Sequence, residues 1–139
     1  MKQDTTQFEI RTKGPGLYEF TEEVSSWLAR SGIATGLVTL HVRHTSASLL
    51  IQENADPDVR ADFERFFRRL VPENDPLYRH DAEGPDDMPS HIRAALTSTT
   101  LSIPVIGGRA ALGTWQGIYL YEHRHAAHRR TVAAHVIGE

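Results

Sequence analysis

The sequence contains no cysteine. That excludes a disulfide framework, a zinc ribbon, an iron–sulfur site and a thiol nucleophile, and it fits a reducing compartment. Lysine is nearly absent too, with only Lys2 and Lys13 against thirteen arginines. No stretch approaches the ~20 apolar residues of a membrane span. Residues 1–10 are polar and alternating, with none of the apolar core of a signal peptide. The formal net charge of −3 offers no basic face for nucleic acid. The expectation is a soluble, cytoplasmic protein with no membrane and no nucleic-acid partner.

What is present is ordinary globular material: 139 residues, 40% hydrophobic and 24% charged. This length suits one domain over residues 1–139, burying roughly two-thirds of its unfolded surface. Residues 3–12 alternate and read as a strand, broken by Gly14-Pro15-Gly16. Phe20, Val24, Trp27 and Leu28 recur at helical spacing over 21–31, with Thr21 as cap and Gly32 as stop. Residues 36–43 alternate strictly, Val38, Leu40, Val42 and His44 facing one side, and 47–52 form a further strand. Asp56-Pro57 starts a helix whose apolar stripe is Val59, Phe63, Phe66, Phe67 and Leu70. Residues 72–90 read as a long loop, and a short helix capped near Asp87 follows through His91 and Leu96. Strands at 99–106 and 109–112 flank a Gly107-Gly108 turn, and 115–122 and 130–137 complete the series. Seven or eight mostly antiparallel strands with about three helices predict an α+β fold, a two-sheet β-sandwich or distorted barrel.

Four clusters carry chemistry. Arg43-His44-Thr45-Ser46-Ala47-Ser48 combines a cation, an imidazole and three hydroxyls at a strand end, enough either to hold an anion or to close a self-satisfied turn. Glu53 and Asn54 precede the Asp56 cap and are free to face a site. Between Arg79 and His91 lie His80, Asp81 and Asp87, residue types suited to a divalent metal or to acid–base work, or to a solvated acidic loop. Trp115 and Gln116 sit between Gly113 and Gly117, which suggests close backbone approach; Trp115 reads first as core. Eight histidines are many for this length, and of these His125, His128 and His135 read as surface or strand residues.

Together these stretches resemble the YjbQ family, also called the secondary thiamine-phosphate synthase family. The matching residues are His44 through Leu49, Glu53 through Val59, Arg79-His80-Asp81 with Glu83 through Pro89 and His91-Ile92, and the block from Ser98 to Glu122-His123-Arg124. The resemblance implies a two-sheet α+β domain assembled as a homotrimer. It also implies coupling of a hydroxymethylpyrimidine diphosphate to a thiazole phosphate with release of pyrophosphate, as a weak or secondary activity. Its motif matches carry over His44, His80, Asp81, His91 and His123 as site members, with Glu53, Asn54, Asp87 and Gln116 beside them.

Such a reaction must neutralise pyrophosphate and exclude water. Arg43, Arg79 and a divalent metal (magnesium or zinc) fit the first role, Thr45, Ser46 and Ser48 add donors, and Trp115 and Tyr119 fit the second. His44, His91 and His123 form an expected metal set, while Glu53, His44, His80, Asp81 and His91 are the expected catalytic groups. An open three-imidazole site would equally suit a metal-dependent hydrolase of a small phosphorylated or ester substrate. A non-catalytic trimer that binds a small anionic metabolite is the reading from a different class.

Overall fold

The computed structural model describes all residues, Met1–Glu139. In chain order the elements are β1 (Lys2–Thr12), β2 (Gly16–Glu19), α1 (Thr21–Ser31), β3 (Thr35–Val42), β4 (Ala47–Glu53), α2 (Pro57–Leu70), α3 (Asp87–Leu96), β5 (Thr100–Ile106), β6 (Arg109–Ala110), β7 (Gln116–Glu122) and β8 (His128–Gly138). The strands form a five-stranded sheet of order β1-β8-β3-β5-β6 and a three-stranded sheet of order β2-β7-β4. All pairings are antiparallel. This is the expected α+β sandwich with three helices.

The core lies between the sheets. Alternation in β3 turns Val38, Leu40 and Val42 inward, where they meet Leu49 of β4, Ile118 and Leu120 of β7, and Val132 and Val136 of β8. Helix α1 adds Val24, Trp27 and Leu28. At Gly36, paired directly with Gly138, a Cβ would lie 2.2 Å from the Ile137 carbonyl oxygen, so only glycine lets β3 and β8 approach this closely.

Helix α1 ends as expected, with Gly32 at φ 72°. Its start differs. Phe20 is the N-cap, and Thr21 accepts a hydrogen bond from the Ile118 N–H at 2.9 Å while donating to Glu19 at 2.7 Å, sewing the helix to β7. Asp56 caps α2 through the Asp58 N–H. The α2 stripe is only partly buried: Phe67 packs on Tyr121, while Phe66 and Leu70 stay exposed. Trp115 is 62% exposed, so it is not core as its apolar bulk suggests. Trp115 lies in the turn that enters β7 at Gln116, ahead of the strand's buried positions. Strand β2, unmarked in the sequence, extends the small sheet on the far side of β7.

Candidate functional site

Asp87 and His91 stand one turn apart on α3 and therefore share a face. The preceding loop brings His80 to the same place. His80 Nε2 lies 2.6 Å from Asp87 Oδ2, and His91 Nε2 lies 3.3 Å from Asp87 Oδ1. The three possible ligand atoms fall within 4.8 Å of one another. Asp87 is buried and His80 half exposed, and beside them a cavity of about 300 Å³ is lined by His80, Asp81, Tyr78 and Met88.

The protonation logic follows from one contact. The Nδ1 of His91 is 2.8 Å from the Thr45 carbonyl oxygen. A carbonyl only accepts, so Nδ1 carries the hydrogen and the neutral ring presents a bare Nε2. That lone pair faces a carboxylate oxygen. Two like-signed lone pairs are stable together only with a cation between them, either a proton or a metal. Two imidazole nitrogens, one carboxylate and an open side are a donor set suited to a divalent metal, with the Thr45 carbonyl fixing the ring.

Arg124 ties the cluster together. It donates to Asp86 at 2.9 Å, to Asp87 at 2.9 Å and to the Glu83 carbonyl at 3.0 Å. Burial works to raise the Asp87 pKa, but the His80 hydrogen bond and the charges of His91 and Arg124 outweigh it and hold the carboxyl below the usual range. Asp86 is the N-cap of α3 yet makes no cap bond; its carboxylate takes Arg124 and the His125 N–H instead.

The expected metal set of His44, His91 and His123 is not brought together. His44 Nε2 accepts from the Thr131 N–H at 2.8 Å, which occupies its lone pair. Burial and the nearby Arg130 lower its pKa in keeping with that neutral role. His123 is fully buried behind β4, with Nε2 2.9 Å from Ser48 Oγ. Desolvation pushes its pKa down to about 3. The cluster that forms replaces those two histidines with His80 and Asp87.

The other sequence candidates divide between the two ends of the β4–β7 ladder. Ala47 pairs with Glu122 at one end, and Glu53 pairs with Gln116 at the other. At ~3.4 Å per residue, about 20 Å separates the ends. Arg43, Thr45, Ser46 and Ser48 lie at the histidine end; Glu53, Asn54, Trp115 and Gln116 lie at the far end. There Glu53 accepts from the Asp56 N–H, Asn54 donates to Glu19, and Gln116 accepts from the Gly113 N–H. Arg43, Arg79 and Asp81 are exposed, with Arg43 at the end of β3 and the other two in the loop that carries His80.

Ser46 belongs to a second buried group. Arg130 donates to Ser46 Oγ at 2.9 Å and to Glu122, which also accepts from Thr12 at 2.8 Å. Burial raises the Glu122 pKa, and the Arg130 and Thr12 contacts reverse the direction. Sequence reasoning missed Arg124, Asp86 and Arg130 as organisers. Arg124 had a signal, since it closes the last matched block; Arg130 had none, because it sits in an ordinary alternating strand.

Comparison with known proteins is consistent throughout. Residues 6–139 match the family model described as UPF0047 protein YjbQ-like. The UPF0047 protein sll1880 of Synechocystis is 55% identical over 94% of this chain and 88% of its own length. The UPF0047 protein YjbQ of Escherichia coli O157:H7 is 49% identical, covering 89% of this chain and 91% of its own. The crystal structure of hypothetical protein APE1520 from Aeropyrum pernix superposes with a TM-score of 0.89 at 30% identity, over 98% of this chain and 99% of that one. No helix is long and apolar enough to cross a membrane. The chain therefore belongs to the YjbQ/UPF0047 family.

Proposed function

We propose that the chain is an enzyme acting on a small phosphorylated substrate with the help of a divalent metal, zinc or magnesium, held by His80, Asp87 and His91. The reaction is the one its resemblance implies: a thiazole phosphate nitrogen displaces pyrophosphate from a hydroxymethylpyrimidine diphosphate, giving thiamine phosphate. The observation that carries the metal half is the convergence of three ligand atoms within 4.8 Å. Bound there, the metal would supply a Lewis acid for phosphate oxygens.

The chain's own residues do the rest. Exposed Arg43 and Arg79 neutralise the diphosphate. Thr45 holds the His91 ring through its backbone. Arg124 keeps Asp87 ionised as a ligand. Asp81 and His80 line the same cavity, where the new C–N bond leaves the thiazole nitrogen as a thiazolium and the C–O electron pair goes to the departing pyrophosphate.

Trp115, about 20 Å away along β7, serves such a site only from a second copy of the chain. That supports a homotrimer in which one copy's Trp115 and Gln116 cover another's histidine cluster. The exposed apolar side chains Phe66, Leu70 and Ile106 support self-association as well. Sedimentation velocity at micromolar concentration gives the trimer mass if this is right.

A second reading, a metal-dependent hydrolase, is favoured by one observation: the His80 side chain is 54% exposed, leaving the cluster open to water. One assay separates the readings. The protein is incubated with magnesium and both substrates, and thiamine phosphate and pyrophosphate are measured by chromatography. Equal yields, abolished by Asp87→Asn, support the transferase. Phosphate or pyrophosphate without thiamine phosphate supports the hydrolase. Saturable binding without turnover leaves a non-catalytic binder of an anionic metabolite.

A further inference from the structure

Helix α2 leaves most of its apolar row uncovered. Val59, Phe63, Phe66 and Leu70 recur at steps of four, three and four residues, the spacing of a seam that meets another helix. Yet Phe67, outside that row, is the one residue of the helix that is buried. Phe66 is 47% exposed and Leu70 53%. One residue before each member of the row stands a charged side chain: Asp58, Asp62, Arg65 and Arg69, all exposed. This second row runs beside the first and reads acid, acid, base, base from the N-terminal to the C-terminal end.

The helix carries both halves of a helix–helix contact. Val59, Asp62, Phe63 and Phe66, at positions i, i+3, i+4 and i+7, enclose a surface hollow of about 290 Å³. Four residues at that spacing form the hole that receives one side chain of a facing helix. The hollow is held from beneath, because Phe63 stacks on Phe67 with ring centroids 6.5 Å apart and Phe67 stands edge-on to Tyr121 of β7. Phe66 is also the side chain that projects from the row. Its ring lies 5.4 Å from that of Phe67, and the Arg69 guanidinium carbon sits 5.9 Å from its centre.

We propose that α2 pairs antiparallel with α2 of a second copy of the chain, about a two-fold axis level with Glu64 and Arg65. In that register Phe66 of each copy enters the hollow of the other and meets its Phe63, while Leu70 meets Val59. Phe66 brings Arg69 with it, and Asp62 is a wall of the hollow, so a guanidinium arrives at a carboxylate on both sides of the axis. Asp62 already accepts from Arg65 of its own helix, in an exposed pair, and a carboxylate has acceptor sites for both. One helix supplying knob and hole together is what an isologous contact requires. A parallel crossing would instead set Asp62 against Asp62 and Arg69 against Arg69.

The 14 residues of α2 span about 21 Å, so one such contact makes a reversible pair rather than a permanent one. It adds a two-fold contact to the head-to-tail one that brings Trp115 to another chain's histidine cluster, and it stands without it. Combined with the homotrimer, it joins two trimers into six chains.

Sedimentation velocity of the whole protein, from micromolar to millimolar concentration, tests the pairing. The variants are Phe66→Ser, Asp62→Arg and Arg69→Asp, all at exposed positions, with thermal melts as the check on folding. Wild type is expected at twice the mass of Phe66→Ser, and each charge variant alone is expected to double roughly tenfold less tightly. An equimolar mixture of the two charge variants is expected to recover the doubling, because opposite charges then face each other across the axis. A role confined to one chain cannot be restored by mixing. A wild type no heavier than Phe66→Ser, or a mixture no tighter than its components, overturns the pairing. A Phe66→Ser species of one third the wild-type mass overturns it too, by placing Phe66 in the trimer contact. The trimer reports separately: a single-chain Phe66→Ser species beside a two-chain wild type removes the trimer and keeps the pairing, and a wild type fixed at three chains does the reverse.

Discussion

His91 gives its Nδ1 hydrogen to the carbonyl oxygen of Thr45, forty-six residues earlier in the chain. The ring is thereby fixed in one tautomer before any ligand arrives. This predicts one divalent ion per chain, measured by elemental analysis or zinc titration. His80→Ala, Asp87→Asn and His91→Ala each weaken binding by more than tenfold. His44→Ala leaves it intact, since its Nε2 is committed to Thr131. Equal losses in His44→Ala and His91→Ala would restore the original histidine set and sink the new one.

Buried His123 makes stability pH-dependent in a defined direction. Its folded pKa, about 3, lies below the unfolded value near 6.5. The unfolded chain therefore takes up a proton that the folded chain refuses, and stability falls as pH drops from about 6.5 toward 3. The slope is about 1.4 kcal/mol per pH unit for one such group. His44, also lowered, adds to the upper part of this window. Denaturant unfolding between pH 7 and 4.5 checks it, and His123→Gln should flatten the profile. An unchanged slope in that variant would remove His123 from the account.

Glu122 and Arg130 form a buried pair, 0% and 4% exposed at their side chains. Removing one partner strands a charge. Arg130→Met is expected to cost about 3–5 kcal/mol in urea unfolding, and the double variant with Glu122→Gln to recover much of that loss. Glu122 is lowered in the fold, so its contribution is present above the unfolded carboxyl pKa and lost as pH falls through its folded value. Additive costs in the double variant would show that the two side chains are energetically independent.

Two glycine substitutions should differ for stated reasons. At Gly36 an added methyl meets backbone at 2.2 Å, and Gly36→Ala should cost about 1–3 kcal/mol or more through strand displacement. Gly107 has open space but a φ of +60°, so Gly107→Ala should cost only the left-handed penalty, about 1–2 kcal/mol. Thermal melts of both variants decide the order.

The sandwich was legible where one residue settles its own geometry. Val38, Leu40 and Val42 declare an inward face, Asp56-Pro57 a helix start, and Gly107-Gly108 a tight turn with both φ positive. Strand β2 was not legible, because four residues between a glycine break and a helix carry too little alternation. At the site, Asp87 and His91 have the one-turn spacing of a shared face, yet nothing in the spacing shows His80 folding back onto them. The loop 72–86 does that through contacts such as Tyr78 N–H to the Asp75 carbonyl at 3.0 Å and the Arg124 bond to the Glu83 carbonyl. His44 and His123 misled for a related reason. Imidazole serves equally as a ligand, a backbone acceptor or a buried donor, and only the partner found in three dimensions distinguishes these uses.

Strand β7 is buried on both faces from Gly117 to Glu122, so odd and even positions answer to different demands. Ile118, Leu120 and Glu122 look toward the large sheet, where Glu122 meets Arg130 and Thr12. Tyr119 and Tyr121 look toward α2, meeting Arg60 and Phe67, and just past the strand His123 meets Ser48 of β4. A mutational scan along this one strand should therefore show a two-beat rhythm. Substitutions at even positions would loosen the packing between the two sheets, and substitutions at odd positions the packing of α2 on the small sheet. Parity along seven residues thus becomes a ruler for which of the two layers a residue holds in place.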